Sequence, residues 1–414
     1  MKHVIIGTGP AGVTAAETLR GIDPEAEILM FGEEPGVPYA RMAIPYYLND
    51  KIAEEGTALR KQTDFYSEKH IEVMNQKVTS VDGAGKSITL DNGETVPFDR
   101  LLIASGSSPV RPNIPGFDSA RVHSCWTLAD ARNIHRLAMP DTHVVLMGAG
   151  FIGGIILEAL ARRGVKLHVV EMENRMVPRM MNETSGAMLK SWCEQQGVEI
   201  YTGTSVQSIE DCSDGVKATL SNGVTLSAVL VVSAVGVQPN VDFLTGSGVD
   251  LATGVPVNDY LETNVEGIFA AGDVAHGKDF SSEQYHIQAI QPTAVDHGRI
   301  AAHNMAGHQI VHQGSLNMNI LDTLGLVSAS FGEWQGVSGG ESVELVQPEQ
   351  FRYLQLQFDD DCLVGANSVG HCDHIGVIRG LIQSKVRLGV WKARLMRNPL
   401  RLMEAYIDST QLVS

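Results

Sequence analysis

Two copies of one glycine-rich fingerprint constrain the fold of this chain more than any other feature. Gly7-Thr8-Gly9-Pro10-Ala11-Gly12 follows the apolar run Val4-Ile5-Ile6, and Gly148-Ala149-Gly150-Phe151-Ile152-Gly153 follows Val144-Val145-Leu146. Such glycines allow a tight turn, a close backbone approach to a pyrophosphate and close packing of a helix on a strand. The phosphate then lies at the positive end of the helix. Two copies therefore predict two dinucleotide sites in one chain.

An acidic residue follows each fingerprint at the distance expected for a ribose ligand. The predicted elements of the two units are strand 2–7, helix 10–21, strand 27–32, and strand 143–147, helix 151–163, strand 166–170. Glu33 and Glu34 follow the first unit, and Glu171 follows the second. A carboxylate accepts from a ribose hydroxyl pair and repels a 2′-phosphate, so the sequence favours NADH over NADPH at the second site. The alternative is that Glu171 only ends a strand.

The rest of the chain repeats this plan and then changes character. Two hairpin-like stretches and two apolar strands occupy matching places after the fingerprints: Val78–Leu90 with Asp91-Asn92-Gly93, Val206–Leu220 with Ser221-Asn222-Gly223, Leu101–Gly106 and Val229–Gly236. After residue 315 we predict a smaller α/β domain. Its strand-like runs lie at Phe331, Glu341–Val346, Phe351–Phe358 and Leu363–Val369, and its helices near 374–386, 390–397 and 399–408.

Composition narrows the class of protein. A chain of 414 residues predicts two or three domains, and 43% apolar with 19% charged residues is typical of globular proteins. No apolar run reaches the roughly 18 residues of a membrane span, and Met1 leads into a strand with no room for a signal peptide. Five scattered cysteines favour a reducing cytoplasm. The net charge of −17 disfavours nucleic acid and anionic membranes as partners.

Four more segments complete a recognisable set of motifs. They are Ala104-Ser105-Gly106-Ser107-Ser108-Pro109, Ala234-Val235-Gly236 with Gln238-Pro239-Asn240, Gly267-Ile268-Phe269-Ala270-Ala271-Gly272-Asp273, and Gln291-Pro292-Thr293-Ala294. With the two fingerprints, they make nearly the whole chain resemble the FAD-dependent pyridine nucleotide–disulfide oxidoreductases. It looks closest to rubredoxin and ferredoxin reductases, NADH oxidases and the flavin part of NADH nitrite reductases.

The resemblance implies an α/β fold with two Rossmann-like three-layer domains and a small C-terminal α/β domain. An FAD domain at 1–112 and 245–315 is split by an NAD domain at 113–244, and 316–414 forms an interface or dimerisation domain. In the family, the aspartate at Asp273 hydrogen-bonds the ribityl chain of FAD. The helix that opens at Gln291 directs its positive end to the flavin pyrimidine.

Contacts carry over by the same resemblance. The residues implied for FAD are Gly7, Gly9, Pro10, Ala11, Gly12, Glu33, Glu34, Arg41, Val78, Ala104, Ser105, Gly106, Gly272, Asp273, Pro292, Thr293 and Ala294. Those implied for NAD are Gly148, Gly150, Phe151, Ile152, Gly153, Glu171 and Gly236. Arg41, Met42, Tyr46 and His286 are candidates for a role near the flavin, and a structural role for His286 is the alternative.

The segment Tyr39–Leu48 departs from the family pattern. It has no cysteine, so a dithiol relay is excluded there, and Met42 aligns with the single cysteine of coenzyme A disulfide reductases and many NADH oxidases. A thioether cannot form a thiolate, so we expect Met42 to pack against the flavin. Tyr46 and Gly154 align with the lysine and glutamate that pair in the electron-transfer reductases.

The resemblance implies an FAD-dependent NAD(P)H oxidoreductase that passes electrons to a protein acceptor without a redox-active cysteine. Alternatives are an oxidase or peroxidase acting on a small oxidant, and a low-turnover NADH-binding protein resembling apoptosis-inducing factor. A basic C-terminal stretch suits an acidic ferredoxin-like or rubredoxin-like carrier or a partner subunit. It comprises Lys385, Arg387, Lys392, Arg394, Arg397 and Arg401. A solvated face or a subunit contact is the alternative; we expect a homodimer, and no metal at His371-Cys372-Asp373-His374.

Overall fold

Two parallel sheets built on one plan dominate the structure, a computed structural model that describes residues 1–62 and 64–411. The first sheet runs, in spatial order, Ile268–Ala270, Arg100–Ile103, Lys2–Ile6, Glu27–Phe31 and Ile71–Met74. The second runs Glu199–Tyr201, Lys166–Val170, His143–Met147, Leu230–Ser233 and Val122–His123. Both faces of such sheets are covered, which explains the continuous apolar runs of their strands. The predicted α/β class with two Rossmann-like units is confirmed.

Helices cover these sheets, and glycines bring them close. The first unit carries Pro10–Ile22 and Gln291–Met305, and the second carries Leu128–Leu137, Phe151–Arg162 and Glu183–Gln195. The first two pack on each other at backbone distance. A Cβ added to Gly298 would lie 2.3 Å from the carbonyl oxygen of Ala11, so only glycine allows this approach. The last helix of the unit therefore lies directly against the helix of the first fingerprint.

Along the chain, a three-stranded antiparallel sheet is inserted before the last strands of each parallel sheet. The strands are Val78–Asp82, Ser87–Leu90 and Thr95–Pro97 in one copy, and Val206–Cys212, Gly215–Leu220 and Thr225–Ala228 in the other. The sequence predicted hairpins here, and the structure adds a third strand after each Asn-Gly turn. The pairing shifts register directly after Val78 and, equivalently, after Val206. The duplication thus extends to the position of a β-bulge.

Short elements join the two units and complete the first. The apolar strands end earlier than predicted, at Ile103 and Ser233, because the chain leaves each sheet at an alanine. Ser107–Pro109 then pairs antiparallel with Val237–Pro239, so the segments that follow the two apolar strands are joined to each other. The remaining short elements are strands Val255–Pro256, Ala275–Lys278 and Tyr285–Ile287, α-helices Ile44–Leu48 and Phe65–Glu68, and 3-10 turns Arg41–Ala43, Glu54–Thr57, Asp242–Leu244, Gly272–Val274 and Pro348–Gln350.

The C-terminal part is a five-stranded antiparallel sheet with helices on one face. Its spatial order is Met318–Thr323, Leu326–Gly332, Cys362–Val369, Arg352–Asp359 and Glu341–Gln347, and the helices are Ile375–Ser384, Val390–Arg397 and Leu402–Gln411. The sequence missed the first of these strands. Trp391 and Leu395 help to bury the helix-covered face. The other face contributes Leu321 and Tyr353 to the core of the second parallel unit.

Candidate functional site

A cleft lies where the first fingerprint meets the helix of the second, and its empty space, with the open solvent at its mouth included, is about 1610 Å³. The first unit contributes 7–11, 104–108 and 271–273 to its lining. Phe151 and Ile152 close it from the second unit. The cleft thus brings residues predicted for two different dinucleotides to one space.

The first glycine of each fingerprint makes a turn that a larger residue could not. Gly7 has φ +119° and Gly148 has φ +93°. A Cβ would lie 2.0 Å from the carbonyl oxygen of Ala104 in the first case and 2.5 Å from that of Ala234 in the second. Each fingerprint is therefore fixed to the end of its own apolar strand by close backbone contact.

Three helix N-termini around the site have no side-chain cap, whereas the two other long helices of the parallel units do. Gly9, Gly150 and Ile290 occupy the N-cap positions, and none of the three helices has an acid in its first turn. By contrast, Thr127 caps its helix through a capping box and Asn182 caps another. Uncapped first-turn N–H groups are the donors that bind an anion. A Cβ at Gly9 or Gly150 would meet nothing within 4 Å, so an anion has room to approach.

One end of the cleft is polar and built around Arg41. Its guanidinium donates to Glu34 at 2.6 Å and to the carbonyl oxygen of Trp126 at 2.6 Å, and it lies 5.3 Å from the Trp126 ring centroid. Tyr39 donates its hydroxyl to the same glutamate. Glu33 pairs with Lys77 at 2.9 Å on the exposed rim. Arg41 therefore ties the first unit to the segment that opens the second.

The middle of the cleft is fixed by two side-chain links. Ser107 donates to the carboxylate of Asp273 at 2.8 Å. Enclosure of this carboxylate raises its pKa above the ordinary value, although the Ser107 hydrogen bond and the charge of Arg41 act in the opposite direction. Ser105 and Asn240 exchange hydrogen bonds at 2.8 Å in both directions, each side chain binding the other residue's carbonyl oxygen.

The other end of the cleft is apolar. Met42, Pro45, Ile155 and Ile156 line it together with Phe151. Such a wall excludes water and offers flat contact to an aromatic ring. No lysine or glutamate from the described part of the chain lines this end.

Tyr46 and Gly154 align with the two members of the family's ion pair, but one is exposed and the other is buried. Tyr46 is 52% exposed, lies outside the cleft lining and has the ammonium of Lys51 5.7 Å from its ring centroid. Gly154 is buried, and a Cβ there would lie 2.7 Å from Cδ2 of Leu321. The C-terminal sheet thus occupies the space that a side chain at 154 would need.

Glu171 is held by the backbone of its own fingerprint. Gly7 donates to the carbonyl oxygen of Phe31, as Gly148 donates to that of Val170, so Glu171 stands one position earlier than Glu33. It is 7% exposed, and its two carboxylate oxygens accept from the N–H groups of Ala149 (2.6 Å) and Glu173 (2.8 Å). Glu171 therefore braces the turn of the second fingerprint.

The structure brings many of the predicted residues together. Those lining the cleft are Gly7, Gly9, Pro10, Ala11, Glu33, Glu34, Arg41, Met42, Ala104, Ser105, Gly106, Phe151, Ile152, Gly272, Asp273 and Ala294. Those outside the lining are Gly12, Tyr46, Val78, Gly148, Gly150, Gly153, Glu171, Gly236, His286, Pro292 and Thr293. His286 lies in an exposed strand rather than on a loop, with Nε2 3.5 Å from the hydroxyl of Ser282.

Sequence reasoning missed three residues at the site. Cys125 lines the cleft, but burial raises the pKa of its thiol to about 12, so it stays protonated at neutral pH. Trp126 lines it too and donates its indole N–H to the carbonyl oxygen of Ser107 at 3.0 Å. His297 is buried beneath the Gly272–Asp273 turn. Among residues 1–62 and 64–411, no group of three or more His, Cys, Asp or Glu side chains could hold a metal.

Comparison with known proteins identifies the family. The profile of "pyridine nucleotide-disulphide oxidoreductase" matches residues 1–299. The chain belongs to this family. It is 30% identical over 413 residues to the NADH-dependent phenylglyoxylate dehydrogenase subunit epsilon of Aromatoleum evansii, covering 99% of this chain and 98% of the relative. It is 31% identical over 280 residues to a rubredoxin-NAD(+) reductase of Acinetobacter baylyi, covering 66% and 71%.

The fold likeness is equally extensive. Putidaredoxin reductase in a covalent complex with putidaredoxin matches with a TM-score of 0.91 at 22% identity, over 99% of both chains. The chain is thus an FAD-dependent oxidoreductase that uses a nicotinamide coenzyme, as the sequence predicted. In the part of the chain that the structure describes, no helix has the length and apolar character to cross a membrane.

Proposed function

We propose that this flavoprotein oxidises NADH and passes the electrons to a protein acceptor, either a small iron–sulfur carrier or a partner subunit. One observation carries the proposal: the helix start of the second fingerprint, at Phe151 and Ile152, lines the same cleft as the first fingerprint. When bound there, the flavin supplies acceptance of two electrons from the nicotinamide and their release one at a time. The names of the two relatives, an NADH-dependent dehydrogenase subunit and a rubredoxin reductase, support this acceptor class.

The residues of the cleft would divide the work. The uncapped N-terminus at Gly9 would hold the FAD pyrophosphate, and the one at Gly150 that of NADH. Asp273 and Arg41 would orient the FAD, and the apolar wall around Ile155 would exclude water where the rings stack. Hydride transfer needs stacking geometry and a dry site rather than a protein acid. We also propose that the other contacts predicted above belong to the same two sites. The proposed domain limits are 1–112 with 245–315 for the FAD domain, 113–244 for the NAD domain and 316–414 for the C-terminal domain.

We propose that NADH is preferred over NADPH. The carboxylate of Glu171 is held at the second fingerprint and Glu173 follows two residues on, and this negative charge would repel a 2′-phosphate. The expected kcat/KM with NADH is at least tenfold that with NADPH. Equal values would remove the preference.

For the acceptor, Arg394 and Arg397 form the best docking candidates of the basic stretch. Lys385 pairs with Glu283 at 3.5 Å and Lys392 with Glu341 at 3.1 Å, so part of that charge is already neutralised. Arg401 likewise pairs with Glu404, and Arg387 lies beside three consecutive aspartates. Charge reversal at Arg394 and Arg397 should slow reduction of an acidic ferredoxin at least fivefold and leave reduction of a small dye unchanged. Equal slowing of both would contradict docking there.

Stopped-flow spectroscopy tests the function as a whole. Fast bleaching of the flavin by NADH and slow reoxidation in air are expected, with reoxidation accelerated by a ferredoxin or rubredoxin. Fast reoxidation by air alone would replace the protein acceptor with a small oxidant. Very slow bleaching with a long-lived charge-transfer band would indicate a low-turnover NADH-binding protein instead.

We also propose a homodimer in a reducing cytoplasm. Exposed apolar side chains on the C-terminal helices, among them Val390, Met403 and Ile407, support a subunit contact. All five cysteines are free, which supports the compartment. Light scattering on the purified protein should give twice the chain mass of 44.6 kDa. A concentration-independent monomer would contradict the dimer.

A further inference from the structure

A buried histidine lies beneath the turn that presents Asp273 to the cleft. His297 belongs to helix Gln291–Met305 and is 3% exposed. Its Nδ1 accepts the backbone N–H of Gly272 at 3.4 Å. The turn itself is tightly bounded, because Gly272 has φ +77° and a Cβ there would lie 3.3 Å from the Cβ of Ala11 and 3.4 Å from that of Ala294.

Hydrogen-bond chemistry fixes which nitrogen of His297 carries the proton. A backbone N–H can only donate, so Nδ1 must be a bare acceptor and the proton of the neutral ring must lie on Nε2. Nε2 lies 3.2 Å from the hydroxyl oxygen of Ser315 and therefore donates to it. The hydroxyl is then free to donate to Nε2 of His312, also at 3.2 Å. Ser315 thus lies between the two rings and contacts Nε2 of each.

The surroundings keep both rings neutral. Burial, followed by the charge that His312 would carry, lowers the pKa of His297 to about 3. Burial also lowers the pKa of His312, against the charges of Asp296 and Asp259 and together with that of Lys278. The two rings meet edge to face with centroids 4.7 Å apart, so a proton on one disfavours a proton on the other. The acceptor at Nδ1 is therefore retained at neutral pH.

We propose that His297 is a positioning residue, which holds the Gly272–Asp273 turn through a neutral Nδ1 whose tautomer is set by Ser315. The inference rests on the proposed function, because its importance depends on that turn contacting FAD. The link is geometric: Gly272 lies between the hydrogen bond to His297 and the Asp273 carboxylate that Ser107 binds. Loss of the acceptor would release the amide and let Asp273 leave its place.

Three substitutions of the same residue separate its two nitrogens. Asn places an oxygen near the position of Nδ1, Gln places its polar atoms near Nε2, and Leu supplies neither. With the purified holoprotein stripped of flavin and titrated with FAD, His297→Leu should weaken FAD binding at least tenfold. His297→Asn should stay within about threefold of wild type, and His297→Gln should resemble Leu. Equal affinity for all four proteins, or rescue by Gln rather than Asn, would overturn the proposal.

Two readouts do not depend on turnover. Hydrogen exchange of a peptide covering 268–276 should accelerate at least tenfold in His297→Leu and remain near wild type in His297→Asn. The flavin midpoint potential should shift in Leu and not in Asn. If both variants behave as wild type, His297 has no positioning role.

Ser315→Ala provides an independent variant should the histidine variants fail to fold. Removal of the hydroxyl frees the other tautomer, so FAD affinity should fall three- to tenfold and exchange of 268–276 should rise. No change in either would overturn the role of Ser315. If the wild-type protein binds no FAD, the proposed function is wrong. If wild type binds FAD tightly and His297→Leu binds it equally well, only this inference is contradicted.

Discussion

At Gly154 the lack of a side chain is a packing requirement. The nearest neighbour of an added Cβ would be Cδ2 of Leu321, at 2.7 Å, and Leu321 is itself only 2% exposed. The family's glutamate at this position is therefore incompatible with the way the C-terminal sheet packs here. With Tyr46, which is 52% exposed, in place of its lysine partner, neither of the two positions carries a charge.

We expect Gly154→Ala to destabilise the protein by about 1–3 kcal/mol, because the core is overpacked at this point. Leu321→Ala should largely relieve this in the double variant, which a double-mutant cycle from urea unfolding measures. Gly21→Ala is the matched control, since it is also helical but meets nothing within 4 Å. It should be neutral or stabilising by up to about 1 kcal/mol. Additive losses would contradict the contact with Leu321.

Single residues were predictable where their role is local. Gly7 and Gly148 follow from the turn that a strand and a helix require, and both have positive φ. Cys125 and His297 were not, because their burial depends on elements far away in sequence. The carbonyl oxygen that Trp126 offers Arg41 is likewise 85 residues away.

The long helices of the two parallel units differ in whether a side chain caps their N-terminus. Those starting at Pro10, Phe151 and Gln291 begin without a side-chain cap, whereas those starting at Leu128 and Glu183 are capped. An uncapped start leaves donors for a ligand at some expense of helix stability. Within the two parallel units, the uncapped helices are therefore the ones whose first turns can bind an anion.

Substitution of the N-cap glycine of each fingerprint by Asp should distinguish the FAD site from the NADH site. We expect Gly9→Asp to cap its helix and place a carboxylate at the proposed position of the FAD phosphates, which should weaken FAD binding at least tenfold. Gly150→Asp should leave the bound flavin in place and raise the KM for NADH at least tenfold. Flavin absorbance and steady-state kinetics measure the two effects.

Thermal unfolding of the apoproteins is the control, and neither variant should be less stable than wild type, because each N-cap has the extended backbone that Asp adopts. Loss of flavin from Gly150→Asp would contradict the division of sites.

The helix and strands of each fingerprint unit were predicted to within a residue, whereas helices Leu128–Leu137 and Glu183–Gln195 and several short strands were not predicted. The helix expected at 10–21 is Pro10–Ile22, and that expected at 151–163 is Phe151–Arg162. Thr95–Pro97 and Thr225–Ala228 were missed because three or four residues carry too little periodicity to predict a strand. Met318–Thr323 was missed because it lies at a sheet edge with mixed burial.

Buried histidines make the free energy of unfolding of the whole protein depend on pH. Burial lowers the pKa of His3 to about 4 and that of His297 to about 3, from an ordinary value of 6.5. The unfolded chain therefore binds protons between pH 6.5 and these values while the folded chain does not. The stability that neutral rings allow is complete above pH 6.5 and falls as the pH is lowered.

We expect the free energy of unfolding to fall less steeply with acid in His297→Asn than in wild type. Between pH 7 and pH 4.5, wild type should lose about 2–3 kcal/mol more free energy of unfolding than His297→Asn, because each pH unit contributes about 1.4 kcal/mol per titrating group. Urea unfolding from pH 7 to 4.5 measures it, with His286→Asn, at an exposed position, as the control. Parallel curves for wild type and His297→Asn would contradict a neutral buried ring.

The first parallel sheet closes late along the chain. Its edge strand Ile268–Ala270 pairs with Arg100–Ile103 only after the whole second unit has been made, and Gly272 and Asp273 follow that strand at once. On the ribosome, a nascent chain can thus fold the second unit before the first sheet is complete. Because we propose that Gly272 and Asp273 contact FAD, we expect the yellow coenzyme to bind only after about two-thirds of the polypeptide has been synthesised, and a product truncated before these residues to be colourless.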